Sequence, residues 1–249
     1  MVPLFVGFVN TPRLNCYDCT MRALLTYNTQ YGKNLSQINK WIEGLPKKPD
    51  VICLQEYPYD HLDNNSLAVQ GYRFEFAPGL VKRGRTFSEL TAFKSDLSLV
   101  ASEVIDLGVS NLGKRVFRLS GQRSALITKF RAQGEGFAVA NIHLEWLAPH
   151  SARRDQISLI LKALGDTQSA LIVGDFNYSD LVVGRGLIDY LAKHGFSLAG
   201  DRLKTHTIFG VKHQLDYVFQ RSCTIGEVKV IDVDFSDHLP MIVEFDVSK

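Results

Sequence analysis

Residues 125–144 read ALITKFRAQGEGFAVANIHL, and this stretch decides the fold class. Two runs with apolar residues at alternating positions flank Gln133-Gly134-Glu135-Gly136. A period of two is the mark of a strand, because successive side chains face opposite sides of a sheet. Glycine between two such runs supplies the positive φ that a tight reversal needs. The stretch therefore predicts an antiparallel hairpin. Its second arm finishes in Asn141-Ile142-His143-Leu144, which places polar groups at the end of an apolar strand.

Working outward, further β-rich runs bounded by Gly, Asp, Asn or Pro occur at 22–29, 50–55, 72–76, 170–173, 214–219 and 241–247. Helical spacing is rarer. One helix is expected from Asn34 or Ser36 through Trp41 and Leu45, stopped by Pro46. A second follows Pro149, with Ile157, Ile160, Leu161 and Leu164 on one face and Gly165 closing it. A third covers 186–194 and ends at Gly195. Strands outnumber helices, and the helices fall between strand clusters instead of following every strand. That pattern predicts an α/β (α+β) sandwich of two packed sheets with helices outside.

No low-complexity linker, charge block or internal repeat divides the 249 residues, so one domain is expected over 21–249, with 1–20 as a peripheral extension. A 45% hydrophobic and 22% charged composition is that of a globular protein with a substantial core. The formal net charge of +2 neither demands nor excludes a phosphate-bearing substrate. The four cysteines, Cys16, Cys19, Cys53 and Cys223, suggest no disulfide framework. Cys16 and Cys19 form a C-x-x-C pair without a second pair of ligands, and they read as incidental thiols. No apolar run approaches a bilayer span and no signal peptide is recognised, so a monomeric cytoplasmic protein is expected.

The chemistry is suggested by where the acids fall. Val51-Ile52-Cys53-Leu54-Gln55 ends in Glu56, and Leu171-Ile172-Val173-Gly174 ends in Asp175, followed by Phe176 and Asn177. Asp216 sits between Leu215 and Tyr217, Asp237-His238 precedes the last strand, and Asn28 lies within the first. An ionised carboxylate is costly to bury unless it is paired or binds a metal. Strand-end acids that converge on one rim offer the oxygen ligands that suit a hard cation such as Mg²⁺, or Mn²⁺ in its place. Phosphoryl chemistry is a common use of such a centre.

The ordered blocks Thr26-Tyr27-Asn28, Leu54-Gln55-Glu56, Asn141-Ile142-His143-Leu144, Gly174-Asp175-Phe176-Asn177, Leu215-Asp216-Tyr217 and Ser236-Asp237-His238-Leu239-Pro240 resemble the motif series of the endonuclease/exonuclease/phosphatase (deoxyribonuclease I-like) superfamily. The resemblance implies a four-layer sandwich, two central mostly antiparallel sheets flanked by helices, with the site at one edge. It implies Glu56 as principal metal ligand with Asn28 beside it and Asp237 near the metal. It further implies Asp175 as the residue that orients or deprotonates the attacking water, and Asn177 as a phosphate contact. His238 would contact the scissile phosphate, oriented by Asp216, and His143 would act as general acid or phosphate ligand. The sequence departs from the exonuclease III type, having Gln30 where an acid is expected and His143 in place of tyrosine. It resembles tyrosyl-DNA phosphodiesterase 2-like members at His143-Leu144-Glu145 and Arg153-Arg154-x-Gln156, and lacks the Trp/Cys-Asp-Arg block of inositol-polyphosphate phosphatases.

The resulting expectation is a metal-dependent phosphodiester hydrolase, nuclease-like, with nucleic acid as substrate. The alternatives are a phosphatase or phosphodiesterase of lipid head groups or small metabolites, and a catalytically silent binding module. In the basic run Lys82-Arg83-Gly84-Arg85, a loop is expected in which Arg83 and Arg85 grip the substrate's phosphates. No partner pattern assigns His150, His194, His206 or His213 to the site.

Overall fold

The computed structural model describes residues 21–60, 70–110, 120–146, 148–179, 186–200, 203–208 and 210–247. The expected extension over 1–20, with Cys16 and Cys19, lies outside them. In chain order the first strands are β1 (Arg22–Asn28), β2 (Val51–Pro58), β3 (Tyr72–Lys82), β4 (Arg85–Lys94), β5 (Ser98–Asp106) and β6 (Ser120–Gly121). There follow β7 (Ser124–Ala132), β8 (Glu135–His143), β9 (Ser169–Asp175), β10 (Ser197–Leu198), β11 (His206–Ile208), β12 (Val211–His213), β13 (Asp216–Arg221), β14 (Thr224–Val230) and β15 (Met241–Asp246). The helices are α1 (Leu35–Gly44), α2 (His150–Leu164) and α3 (Gly186–Ala192).

β7 and β8 form the expected hairpin, and Gln133 and Gly134 at its tip both have positive φ. One sheet has the order β14-β15-β1-β2-β4-β3-β6 and the other β10-β13-β9-β8-β7-β5, with β11-β12 a separate ribbon. Pairing in the two large sheets is antiparallel except for β1 with β2 and β8 with β9.

Alternation along single strands sorts the apolar side chains into layers. In β2, Val51 and Cys53 join the cluster between the sheets, while Ile52 and Leu54 face the other way with Ile38 and Ile42 of α1. In β9, Leu171 and Val173 point between the sheets, whereas Ala170 and Ile172 pack with Ile157 and Ile160 of α2 and Leu187 of α3. The central strands are apolar on both faces because each face has a partner layer, which is the four-layer sandwich.

The run at 85–94 was not singled out in the sequence because β4 is buried on both faces and shows no alternation. β5 and β14 were missed for the opposite reason. Both are mostly exposed strands at sheet edges, and their apolar residues do not alternate regularly. α1 ends one residue earlier than expected, with Leu45 extended, and α3 ends at Ala192 instead of 194. Asn34 precedes α1 but does not cap it; its amide donates to the Phe235 carbonyl at 2.8 Å.

Candidate active site

Strand direction gathers the site. β1 and β2 run parallel, and so do β8 and β9, so each pair brings its C-terminal ends to one rim. His143 sits beside Asp175 in the register of β8 and β9, and antiparallel β13 begins there with Asp216 opposite Asp175. In the other sheet Asn28 ends β1 beside Gln55 of β2.

Buried amides lock the two rims together. Asn28 Nδ2 donates to Asp175 Oδ2 at 3.0 Å, and Gln55 Nε2 donates to Asn141 Oδ1 at 2.7 Å. Asn141 Nδ2 in turn donates to the Leu90 carbonyl at 2.9 Å. Each bridge crosses from one sheet to the other. Sliding the sheets would strand these polar groups in an apolar layer, so the network fixes their relative position.

Glu56 reaches the site through a bulge. The β2–β4 register shifts between Leu54 and Tyr57, and Glu56 has a φ of 55°. An extra residue in a strand re-aims its side chain, and a non-glycine residue at positive φ is a strained feature common at functional sites. Glu56 Oε2 accepts the Tyr31 N–H at 3.1 Å, and its Oε1 lies 3.8 Å from His143 Nε2. Burial raises its carboxyl to about 7, against the opposing pull of Arg123.

The other groups follow at short range. His143 Nε2 lies 3.6 Å from Asp175 Oδ2, and His238 Nε2 lies 3.7 Å from that same oxygen. On its other side His238 Nδ1 contacts Asp216 Oδ2 at 2.8 Å. Burial alone would lower the His238 imidazolium, but Asp216 and Asp175 outweigh it and lift it to about 10. His238 is therefore charged at neutral pH, with Nδ1–H donating to Asp216. His143 is the reverse case: burial, then Arg123 and His238, hold it well below the usual histidine range. Arg123 Nη1 lies 3.0 Å from His143 Nδ1 and 3.3 Å from its Nε2, along the ring edge, while Nε2 also faces Glu56 and Asp175. Asp175 is raised to about 6, mainly by burial, and it accepts the Asn177 N–H at 2.8 Å.

These groups border a cleft of about 970 Å³. Asn28, Glu56, His143, Asp175, Asn177, Asp237 and His238 line it, and Asp216 stands behind His238. Arg83 and Arg85 do not line it. The expected loop is a two-residue reversal between paired Lys82 and Arg85, with Arg83 (φ 51°) and Gly84 at its exposed tip. Arg85 is engaged with Asp60 at 2.9 Å, and Lys82 is the basic residue of that run that borders the cleft.

Several lining residues carry no signal in the sequence, Arg123 and His206 among them. Arg123 lies just before β7 and carries no motif of its own. His206 starts the β11–β12 ribbon, and its ring centre lies 4.4 Å from that of His238 with the planes inclined by 59°, and its Nε2 is 3.8 Å from Asp237. Only the bridge between His206 and His238 brings it there.

The donor set suits a divalent cation. Among the described residues neither Glu56 nor Asp175 pairs with a lysine or arginine; their ion-pair neighbours are histidines. A buried carboxylate pushed to about 7 by desolvation, with a half-exposed Asp237 and the Asn28 amide lining the same cleft, is the oxygen-rich donor set that a hard divalent cation takes.

The family model described as Endonuclease/Exonuclease/phosphatase matches residues 25–238, which contain every residue named above. The chain belongs to this family. Its fold is similar to that of ANGEL2, described as a 2',3'-cyclic phosphatase, with TM-score 0.74, 15% identity and coverage of 92% of this chain and 95% of that one. A mannosyl-6-phosphatase from Bacteroides thetaiotaomicron is similar at TM-score 0.69 and 16% identity, over 90% and 99% of the two chains. A humanized D. rerio TDP2 matches at TM-score 0.68 and 16% identity, over 91% and 99%. In sequence, a UPF0294 protein of Vibrio campbellii is 29% identical over 126 residues, 49% of this chain and 45% of that protein. The match thus spans less than half of that relative. No helix among the described residues is long and apolar enough to cross a membrane.

A buried acid outside the rim supports Arg123. Glu89 in β4 is raised to about 8 by burial, and its Oε2 accepts the Ser124 hydroxyl at 2.9 Å. A carboxyl whose folded pKa lies above the unfolded value makes folding less favourable as pH rises through the interval between them. The contribution of Glu89 to stability is therefore expected to fall between about 4.5 and about 8 and to level off above. Glu89→Gln should flatten that slope; thermal melts of both proteins across the interval check it, and parallel curves would refute the assignment.

Proposed function

We propose that the protein is a divalent-metal-dependent phosphodiesterase, nuclease-like, in which water attacks phosphorus. The observation that carries the reading is the chain of contacts Asp216–His238–Asp175–His143–Glu56, in which acids and imidazoles of both sheets meet in one cleft. Asp175 prepares the nucleophile. Near 6, its carboxyl is ionised at neutral pH yet basic enough to take a proton from water. Asn28 Nδ2 and the Asn177 N–H hold its two oxygens in place. His238, kept cationic by Asp216, donates from Nε2 to a phosphate oxygen and offsets charge that builds on the pentacoordinate phosphorus. Neutral His143 donates from Nε2 to a second phosphate oxygen or to the leaving group. Asn177 uses one amide hydrogen on the Leu144 carbonyl at 2.9 Å and has the other for substrate. Glu56, with Asn28 and Asp237, would hold Mg²⁺ or Mn²⁺, which supplies Lewis-acid polarisation of the phosphate when bound.

A preserved set of acid, base and orienting residues supports an active hydrolase over a silent binding module. Nucleic acid is the favoured substrate because three cations, Lys33, Lys82 and Arg123, border the same cleft and suit a repeating phosphate backbone. The test is an assay with Mg²⁺ or Mn²⁺ on plasmid DNA, single-stranded oligonucleotides, a sphingomyelin analogue and a chromogenic diester. Oligonucleotide cleavage that is abolished by chelator and restored by added metal is expected. Undiminished turnover in excess chelator would remove the metal from the reading, and exclusive action on the lipid analogue would remove the nuclease.

A further inference from the structure

We propose that Trp146 and Lys82 form a nucleotide subsite at the mouth of the cleft: the indole stacks on a base of single-stranded nucleic acid, and the ammonium holds a phosphate adjacent to the scissile one. The inference rests on the nuclease-like reading above and extends it to named groups.

Trp146 is 58% exposed and lines the cleft. The other large apolar side chains exposed among the described residues, namely Tyr59, Val100, Val104, Leu159 and Val211, do not line it. An indole facing water forgoes the stabilisation that burial would give. Here the backbone beneath it is firmly held. Glu145 is buried, and its carboxylate accepts the Ser110 N–H at 2.7 Å and the Ser110 hydroxyl at 2.6 Å. Buried Arg153 donates from Nε to the Glu145 carbonyl at 2.9 Å and from Nη2 to the Trp146 carbonyl. Two buried charged side chains thus fix the segment whose side chain is left outside. A rigidly mounted ring binds a planar partner without the cost of ordering a loop.

Lys82 also lines the cleft, with its ammonium 3.4 Å from the centre of the Tyr31 ring. That ring is braced edge-on by Phe87 at 5.0 Å, and its backbone N–H is bonded to Glu56. Among the described residues Lys82 has no carboxylate partner. A cation seated on an aromatic face is positioned while its charge stays uncompensated, so it can accept a phosphate. A planar ring and a cation that line the same cleft offer the two kinds of contact, stacking and charge, that the base and phosphate of a nucleotide call for. Single strands present unstacked bases to such a ring, whereas a duplex does not. A membrane surface would call for a contiguous apolar patch, and one indole does not make one.

The test compares a short thymidine oligonucleotide with a strand of equal length whose residues next to the cleavage site are abasic, in the presence of Mg²⁺ or Mn²⁺. Trp146→Ala is expected to raise KM for the base-bearing strand about tenfold or more, with kcat changed by less than about twofold. KM for the abasic strand should stay the same, and Trp146→Phe should recover most of the loss. Lys82→Gln should raise KM for strands with a phosphate beyond the scissile one and leave a dinucleotide unaffected. If the unmodified protein cleaves the oligonucleotide and Trp146→Ala raises KM for both strands equally or for neither, the subsite is refuted while the nuclease reading stands. If it cleaves no nucleic acid, both fall; if Trp146→Ala abolishes only binding to phosphatidylcholine vesicles, the subsite is refuted.

Discussion

Asp175→Ala and His238→Ala are each expected to lower turnover of a phosphodiester at least about a hundredfold, because in the proposed mechanism each removes an interaction made in the transition state. The two losses arise differently. Without Asp175 the attacking water has no acceptor, and the Asn28 amide and Asn177 N–H lose the group they hold. Without His238 the cation facing the phosphate is gone, and Asp216 is left as a buried carboxylate with no imidazolium. Single-turnover rates with saturating metal separate chemistry from binding, and circular dichroism with a melting curve verifies the fold. Because Asp175 and His238 touch the same reaction centre, the double variant should lose far less than the product of the two factors. Turnover within about threefold of the unmodified protein in both single variants would overturn the assigned roles. The pH profile carries a sign as well: activity should fall on the acid side as Glu56, near 7, and Asp175, near 6, gain protons, and Asp175→Ala should change the shape of that limb.

Gly174→Ala is expected to destabilise the fold by about 3 kcal/mol or more, combining backbone strain with overpacking. Gly174 has a φ of 128°, and a Cβ there would lie 2.1 Å from the Ile142 carbonyl oxygen and 3.1 Å from Gln55 Nε2. The carbonyl belongs to β8, the parallel neighbour in register with Gly174, so it cannot yield without opening the sheet. The adjacent pair is His143 and Asp175, so activity should suffer along with stability. Urea unfolding gives the free energy, and a midpoint shift that corresponds to less than about 1 kcal/mol would show that the close approach is not rigid. An Ala at Gly84, a turn position where a side chain would meet open space, is the control for the backbone term alone.

What the amino-acid order determined was local. The hairpin at 125–144, the β-rich runs and α2 were legible because period and turn chemistry are written within a few neighbouring residues. The acids at strand ends stood out for the same reason, since a carboxylate that closes an apolar run is conspicuous without any partner in view. Tertiary structure alone decided what depends on register and direction. Two parallel pairings bring Asn28, Glu56, His143 and Asp175 to one rim, and they join residues 27 and 32 positions apart in the chain. A bulge turns Glu56 inward, a bridge carries His206 to His238, and the turn at Arg83 leaves Lys82, not Arg83 or Arg85, on the cleft. Arg123, exposed Trp146 and the edge strands β5 and β14 have no distinctive local pattern, because their neighbours are supplied by distant parts of the chain. Side-chain chemistry is fixed residue by residue, but whether two groups meet depends on how the sheets pair and pack, and that is a property of the whole fold.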